Sequence, residues 1–266
     1  MPNLTKDIAL IVQLYIKCAR DASVALFKGW LLIPASLIAY AIFTFLFSLV
    51  AHLGVIGGFI AGFIYIALLS FFYHWIASLV RGQSLRLNSL IEFDWSLFIC
   101  LISVGFVLWI IHILTDPFAM TNETQWLYAC IQLGLFVLLN SIPEVVYLKR
   151  FESIGAVKYS FGFIRDNWIE WFIPFILILL PLIRTRPLSI LTALAGVDPF
   201  SAGGDPLFPV RFIFSKIASY LSPYLGTSAL IFAIILAVWF MLFRGFLFLE
   251  LDGSSRRQRR YKSRYS

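Results

Sequence analysis

The chain has 266 residues, 61% of them hydrophobic and only 13% charged, and its formal net charge at pH 7 is +7. Soluble globular domains carry about 25% charged residues, so the composition excludes an ordinary water-soluble domain. Long apolar runs recur along the chain, and each is long enough to cross a hydrocarbon core of roughly 30 Å as an α-helix. The runs lack the strict alternation of membrane-spanning strands. We therefore expect an all-α, polytopic membrane protein.

One pattern occurs three times: a basic stretch leads into a tryptophan, and the tryptophan opens a pair of long apolar segments. The three stretches are Lys17–Trp30, Arg81–Trp95 and Lys149–Trp168. Hydrophobic residues recur every three or four positions in the third stretch, which favours an amphipathic helix lying in the membrane interface. Tryptophan is enriched at membrane surfaces. We predict three hairpins, each preceded by an amphipathic interfacial helix, with Trp30, Trp95 and Trp168 as interfacial anchors.

In chain order, the apolar segments predict six transmembrane helices, at 30–52, 55–79, 97–115, 126–147, 169–190 and 223–248. They form one membrane domain over 1–250, and a basic cytoplasmic tail follows at 251–266. The three hairpin repeats cover about 1–80, 81–148 and 149–250. Lys and Arg cluster before the first span, between the second and third spans, between the fourth and fifth, and in the tail. By the positive-inside rule, both termini are cytoplasmic. The long loop 187–222 is predicted to cap the bundle on its outer side or to bind a partner there.

Small residues within these segments are interpreted as packing positions. Gly58 and Gly62 have the spacing that lets membrane helices approach closely. The three cysteines, Cys18, Cys100 and Cys130, lack the spacing of a disulfide framework or a metal site. We interpret them as small core residues.

The stretch 156–172 has the sequence AVKYSFGFIRDNWIEWF. It resembles the signature of a group of bacterial six-helix membrane proteins, which includes the YciC-like proteins and the membrane domain fused to some glycerophosphodiester phosphodiesterases. The resemblance implies a protein of the bacterial inner membrane. It carries over no catalytic residues, because the chain has no phosphodiesterase catalytic domain.

Two ionisable residues, Glu144 and Arg244, interrupt apolar segments near the predicted cytoplasmic side. Ionisable residues are expensive inside a membrane, and each is a candidate functional residue for that reason. One interpretation is an ion pair that ties the fourth span to the sixth. The other is a proton- or substrate-coupling site next to a helix broken at Pro143.

His52 and His112 fall at the predicted outer ends of two spans, and Asp116 follows His112 by one helical turn. Imidazole and carboxylate are common metal ligands, so these three residues are candidates for a metal or haem site. No recognised ligand-spaced motif accompanies them. His74 is predicted near the opposite membrane face, so the leading expectation is a chain without a metal or another cofactor.

The leading functional hypothesis is a non-enzymatic inner-membrane protein that acts as a scaffold, an assembly factor or an accessory subunit of a membrane complex. Its expected partners are anionic phospholipids, bound by the basic segment Arg256–Arg264, and other membrane subunits or a second copy. A nucleic-acid partner is not expected, because no folded basic surface is visible. One alternative is a transporter or lipid-translocating protein with a polar site around Glu144. The other is an intramembrane metal or haem protein that uses His52 and His112.

Overall fold

A computed structural model of the chain describes residues 4–119, 125–185 and 207–252. Within these ranges every regular element is helical. Four helical stretches there are long and apolar enough to cross a membrane: Leu32–Val80, Leu87–Thr115, Trp126–Lys149 and Ser228–Leu251. The prediction of an all-α chain with apolar helices of membrane length is therefore confirmed.

The first apolar stretch contains two helices and a 3₁₀ turn between them: α2 (Leu32–Val50), Ala51–Leu53 and α3 (Gly54–Val80). Gly54 has a φ of 60°, which glycine adopts at little cost, and the chain reverses there. Phe43 of α2 accordingly packs on Tyr65 of α3, with ring centroids 5.8 Å apart. The two helices form an antiparallel hairpin.

In the half of α3 nearer the turn, the buried small residues are Gly57 and Ala61. A Cβ atom at position 57 would lie 2.0 Å from the Val50 carbonyl oxygen, whereas at Gly58 or Gly62 it would meet nothing within 4 Å. The interpretation of Gly58 and Gly62 as packing positions within the chain is therefore wrong. A shift of one residue turns the pair by about 100° around the helix, which points it away from α2.

The first basic stretch belongs to α1 (Leu4–Lys28), a single 25-residue helix that begins well before the predicted start at Lys17. Its buried side is made of small residues, Cys18, Ala22 and Ala25. This side packs against α10 (Ser228–Leu251), and the Trp239 Nε1–H of α10 donates a hydrogen bond to Ser23 Oγ at 3.0 Å. The opposite side exposes large apolar residues, among them Phe27.

The second basic stretch is mostly irregular and contains only the short helix α4 (Leu87–Ile91). The next helix, α5 (Trp95–Thr115), begins at the predicted tryptophan and ends in a 3₁₀ turn at Asp116–Ala119. Asp94 Oδ1 accepts a hydrogen bond from the Leu97 N–H at 3.0 Å, which satisfies one of the unpaired amides at the helix start. The tryptophan therefore marks the helix entry, although no long amphipathic helix precedes it.

The fourth predicted span is broken into pieces rather than continuous. It comprises α6 (Gln125–Leu138), the short α7 (Ile142–Glu144) and a π-helical turn at Val145–Lys149. Pro143 lies in the first turn of α7, where its missing N–H costs little. The run ends at Arg150, which has a left-handed φ of 61°. Single π turns inside helices are often found at functional positions.

The third basic stretch, Lys149–Trp168, lies mostly in α8 (Ser153–Thr185). Asn167 interrupts this helix with a φ of −130° and a ψ of 17°. The Asn167 side chain donates to the Phe163 carbonyl at 3.1 Å. The kink falls one residue before the predicted anchor Trp168. The predicted fifth span, 169–190, continues past Thr185 beyond the described residues.

The last two helices, α9 (Arg211–Leu225) and α10, form a second antiparallel hairpin that turns at Gly226. Phe214 packs on Phe240 with ring centroids 6.1 Å apart, so α9 lies along α10. The Leu207 carbonyl accepts a hydrogen bond from the Tyr73 hydroxyl, and Leu207 and Val210 are at most 3% exposed. This hairpin therefore begins inside the bundle.

An outer cap over 187–222 is the wrong description of residues 207–222. Leu207, Val210 and Ile213 are apolar, and their side chains are buried inside the helical bundle. Residues 187–206 lie outside the described part of the chain.

The core is concentrated at one end of the bundle, here called the tryptophan end because Trp30, Trp95 and Trp168 lie there. The buried residues of α3 lie mainly in Leu69–Val80, and those of α10 mainly in Val238–Leu251. At the opposite end, Val55 next to the α2–α3 turn is 79% exposed. Exposed apolar side chains of this kind suit a lipid surrounding.

Candidate functional site

Glu144 and Arg244 lie side by side in the half of the bundle nearer the tryptophan end. Arg244 Nε is 2.8 Å from Glu144 Oε1, and Nη2 is 2.8 Å from Oε2. The same guanidinium donates from Nη1 to the side-chain oxygen of Asn140 at 3.0 Å and from Nη2 to its backbone carbonyl at 2.6 Å. Glu144 is 0% exposed and Arg244 is 3% exposed. The structure thus brings together the two ionisable residues that the sequence singles out.

Trp171 of α8 completes this group. Its ring centroid lies 4.9 Å from Arg244 Cζ, and its Nε1–H donates to Asn140 Oδ1 at 3.0 Å. A planar guanidinium suits both a bidentate carboxylate and an aromatic face. We call Asn140, Glu144, Trp171 and Arg244 the buried ion-pair network.

The network links the α6–α7 break to α8 and α10. A coupling site has to exchange protons or substrate with a cavity, whereas Glu144 is closed to solvent on every side. The hypothesis of a transport site around Glu144 therefore loses its main support. The geometry is that of a structural tie, because removal of either Glu144 or Arg244 would leave the other charge buried without compensation.

Two buried polar atoms near the network have no hydrogen-bond partner within the described part of the chain, Asn140 Nδ2 and Tyr147 Oη. Tyr147 is 0% exposed. Its hydroxyl lies 3.0 Å from the place where a Cβ at Gly245 would be. Glycine at position 245 therefore leaves room for this hydroxyl against α10.

A second set of polar contacts joins the chain segments at the tryptophan end. Lys17 Nζ of α1 is 2.5 Å from Glu250 Oε1 of α10. The Tyr159 hydroxyl of α8 donates to Asp252 Oδ1 at 2.5 Å, and Lys149 pairs with the other oxygen of the same carboxylate. Burial, and then the nearby Asp252 carboxylate, raise the pKa of Tyr159 to about 12. The hydroxyl therefore remains a donor over the physiological pH range.

Asp94 connects three further segments at this end. Its Oδ2 accepts a hydrogen bond from Arg150 Nη2 at 2.5 Å and lies 3.3 Å from His74 Nδ1. Since Oδ1 caps α5, one carboxylate ties α3, α5 and the segment after the π turn. Arg81 Nη2 reaches the π turn itself and donates to the Leu148 carbonyl at 3.2 Å. A polar cavity lies between these groups.

A separate, apolar cavity of about 320 Å³ lies between α2, α3, α9 and α10. Aromatic and aliphatic side chains form most of its wall, and Arg211 at the start of α9 contributes the one guanidinium among its lining residues. Arg211 Cζ lies 5.8 Å from the centroid of the Tyr65 ring. The sequence places Arg211 in an outer loop, whereas the structure places it against the side of the helical bundle.

The candidate metal ligands occupy the end opposite the tryptophans. His52 Nδ1 is 3.1 Å from the Ser48 carbonyl oxygen, and His112 is half-buried in the last turn of α5. The side chain of Asp116 lies outside the described part of the chain. Among the described residues, no group of three or more His, Cys, Asp or Glu side chains could hold a metal ion. The metal or haem hypothesis stays a prediction, and elemental analysis with an absorption spectrum would decide it.

The three predicted anchor residues share one situation in the structure. Trp30 lies in the turn between α1 and α2, Trp95 is the first residue of α5, and Trp168 directly follows the kink of α8. Their exposed fractions are 62%, 66% and 59%. An exposed indole where a helix begins has the position of an interfacial anchor.

Comparisons of the chain with protein-family models, with curated proteins and with solved structures find no match. The resemblance of 156–172 to the YciC-like group therefore remains a prediction.

Sequence reasoning missed four residues that the structure makes prominent. Asn140 precedes Glu144 by one helical turn, and this spacing could have indicated a shared network. Asp94 directly precedes Trp95, which is the position of a helix-capping residue. Trp171 and Arg211 had no such signal, because their partners are far away in the sequence.

Proposed function

We propose that this chain is a bacterial inner-membrane protein with six spans and cytoplasmic termini, and that it acts as a scaffold, assembly factor or accessory subunit of a membrane complex. The six spans are α2, α3, α5, the α6–α7 segment, the part of α8 after Asn167, and α10. Lys and Arg concentrated at the tryptophan end support this orientation. The exposed apolar side of α1 supports its placement as an amphipathic helix in the interface.

The observation that carries this proposal is the buried ion-pair network. A bidentate pair at 0% and 3% exposure holds α7 and α10 in one relative arrangement, and Trp171 adds α8 to it. Buried polar networks of this kind restrict a fold to one arrangement in some proteins. A fixed arrangement of helices is what a docking platform for other membrane proteins requires.

The test is purification of the full chain from its native host in a gentle detergent, followed by identification of co-purifying proteins and lipids. We expect at least one membrane protein in a fixed stoichiometry with the chain. In the variant Arg244→Met, the amount of co-purified partner should fall by the same fraction as the amount of folded chain. A chain that purifies alone and transports a solute in vesicles, with transport lost in a folded Glu144→Gln variant, would contradict the proposal.

A second candidate function, binding or translocation of lipid, is favoured by the apolar cavity. The cavity has room for part of an acyl chain, and an arginine against lipid-exposed helices is costly unless it has a role. In vesicles that contain the purified chain, this candidate predicts transbilayer movement of a fluorescent phospholipid that slows in Arg211→Gln. The exposed Arg165→Gln is the matched control, and equal rates in the two variants would remove this candidate.

A further inference from the structure

The polar cavity at the tryptophan end has a volume of about 420 Å³ and lies between the end of α3, the irregular segment before α5 and Arg150. A water molecule takes up about 30 Å³, so the cavity has room for a small polar group with its hydration. Its wall carries two guanidiniums, Arg81 and Arg150, and two carboxylates, Asp94 and Glu92. Ser78 and Ser84 also line the cavity.

Arg150 is held at this wall, and part of its guanidinium makes no described hydrogen bond. Its left-handed φ of 61° is uncommon outside glycine, and the π turn before it sets its position. Nη2 donates to Asp94, while Nη1 is buried and has no hydrogen-bond partner within the described ranges. A buried guanidinium donor without a partner is unfavourable unless a ligand or water satisfies it.

Arg81 and Glu92 both line the cavity, and neither forms an ion pair within the part of the chain that the structure describes. Arg81 donates to a backbone carbonyl and makes no ion pair with a described carboxylate, and Glu92 has no described hydrogen bond or ion pair. Asp94 is already held by Arg150 and His74. The lining of the cavity therefore offers both positive and negative charge.

In the proposed topology, the cavity also lies at the level of a membrane surface. Trp95, next to Asp94 in the sequence, is 66% exposed where α5 begins, as expected for an anchor among lipid headgroups. A molecule that reaches this cavity from the bilayer arrives with its headgroup first. Phosphate is matched by arginine, whose fork of N–H donors fits phosphate oxygens, and ammonium is matched by a carboxylate.

We propose that this cavity binds a phosphate-plus-ammonium headgroup, as found in phosphatidylethanolamine. The phosphate lies against the guanidiniums of Arg81 and Arg150, and the ammonium lies towards Glu92. This assignment is independent of the scaffold role and differs from general attraction of anionic lipid to the basic tail, because it requires both signs of charge.

The test measures binding of short-chain phosphatidylethanolamine and phosphatidylglycerol to the delipidated full chain in detergent, by native mass spectrometry. We expect the wild-type chain to bind phosphatidylethanolamine more tightly. Arg81→Gln should weaken binding of both lipids by about tenfold, because one charge-assisted phosphate contact is lost. Glu92→Gln should weaken only phosphatidylethanolamine. Arg165→Gln, which removes another exposed arginine that does not line the cavity, should change neither.

Two further measurements identify the source of the ligand and test whether each variant is folded. Free O-phosphoethanolamine and inorganic phosphate are added as competitors, and we expect neither to displace the lipid at equal concentration. Displacement by either one would overturn a lipid assignment in favour of a soluble ligand. Each variant is compared with wild type by circular dichroism, and Arg81→Lys should keep part of the binding. The proposal is overturned if the wild-type chain binds both lipids equally or if folded Arg81→Gln binds like wild type.

Discussion

Arginine side chains stay charged in proteins, so Arg244 brings a full positive charge into the interior of the bundle. Four hydrogen bonds to Glu144 and Asn140 and an indole face compensate for the lost water. The compensation depends on both charged partners, because either charge alone would be buried without a counter-charge. Single substitutions in this network should therefore cost more than simultaneous ones.

The variant Arg244→Met leaves the Glu144 carboxylate buried without its partner. We expect the free energy of unfolding to fall by roughly 3–5 kcal/mol, the cost typical of a broken buried pair. The double variant Glu144→Gln/Arg244→Met should recover part of the loss, because no ionised group then remains. Unfolding in mixed micelles of increasing SDS fraction measures both.

Tyr147→Phe is the matched control at the same depth. It removes a hydroxyl that has no hydrogen-bond partner among the described residues, so the free energy of unfolding should change by less than about 1 kcal/mol, or rise. If Arg244→Met and Tyr147→Phe unfolded at the same SDS fraction as wild type, the structural role of the network would be refuted.

Cys18 should be an unreactive thiol in the folded protein. It is 1% exposed, and burial, followed by the charges of Glu250 and Asp21, raises its pKa to about 12. The thiolate is the reactive form, so at about pH 8 only a very small fraction can react. In a chain whose single cysteine is Cys18, we expect no maleimide labelling until SDS unfolds the protein.

A cysteine at the exposed position Lys28 of the same helix, in a chain that lacks Cys18, should label readily without SDS. Rapid labelling of Cys18 in the folded chain would show that α1 does not pack against α10 as described.

At the scale of elements, the α2–α3 hairpin depends on glycine at one particular position. Gly57→Ala would place a methyl group 2.0 Å from the Val50 carbonyl oxygen, and the backbone cannot yield there without opening the hairpin. We expect a loss of about 1–3 kcal/mol in the free energy of unfolding, as in other overpacked sites. The SDS titration also applies to this variant.

Gly58→Ala is the neighbouring control. A Cβ there meets nothing within 4 Å, and alanine is the better helix former by about 1 kcal/mol, so stability should be unchanged or higher. The opposite ranking of the two variants would contradict the described register of the hairpin.

The sequence predicts some elements closely because their apolar runs have clear ends. The predicted spans 55–79 and 97–115 lie within two residues of α3 and α5. By contrast, the pattern of α9 is equally compatible with a helix on a membrane surface and one packed against α10, since both bury one apolar face. The π turn before Arg150 has no sequence signal, because it results from packing around Glu144.

For the whole molecule, the proposed orientation has a direct test. Paired reporter fusions, alkaline phosphatase for the outside and green fluorescent protein for the inside, are placed after Gly54, Gln83, Gly226 and Asp252. We expect phosphatase activity at the first and third positions and fluorescence at the second and fourth. Phosphatase activity after Gln83 would reverse the proposed orientation, and any other alternation would change the number of spans.

Charge and apolar patterns predicted the class of this molecule and its two candidate ionisable residues, but not the full network. Glu144 and Arg244 are 100 residues apart in the chain, and each stands out alone as a charge in an apolar segment. The spacing of Asn140 from Glu144 was a signal that the prediction did not use, and Trp171 has none, because its partners are far away in the sequence. Their role arises only when the broken fourth span, α8 and α10 meet in space.

In the proposed membrane placement, the uneven distribution of the core should give the molecule a different mechanical response in each leaflet. Near the tryptophans, the helices are held by buried side chains and ion pairs, so lateral pressure from the lipids should compress this end only slightly. Towards Gly54 and Gly226, fewer buried contacts connect the same helices. Amide hydrogen exchange should therefore be fastest in the outer turns of α2, α3 and α10, and a change in bilayer thickness should spread or close that half alone.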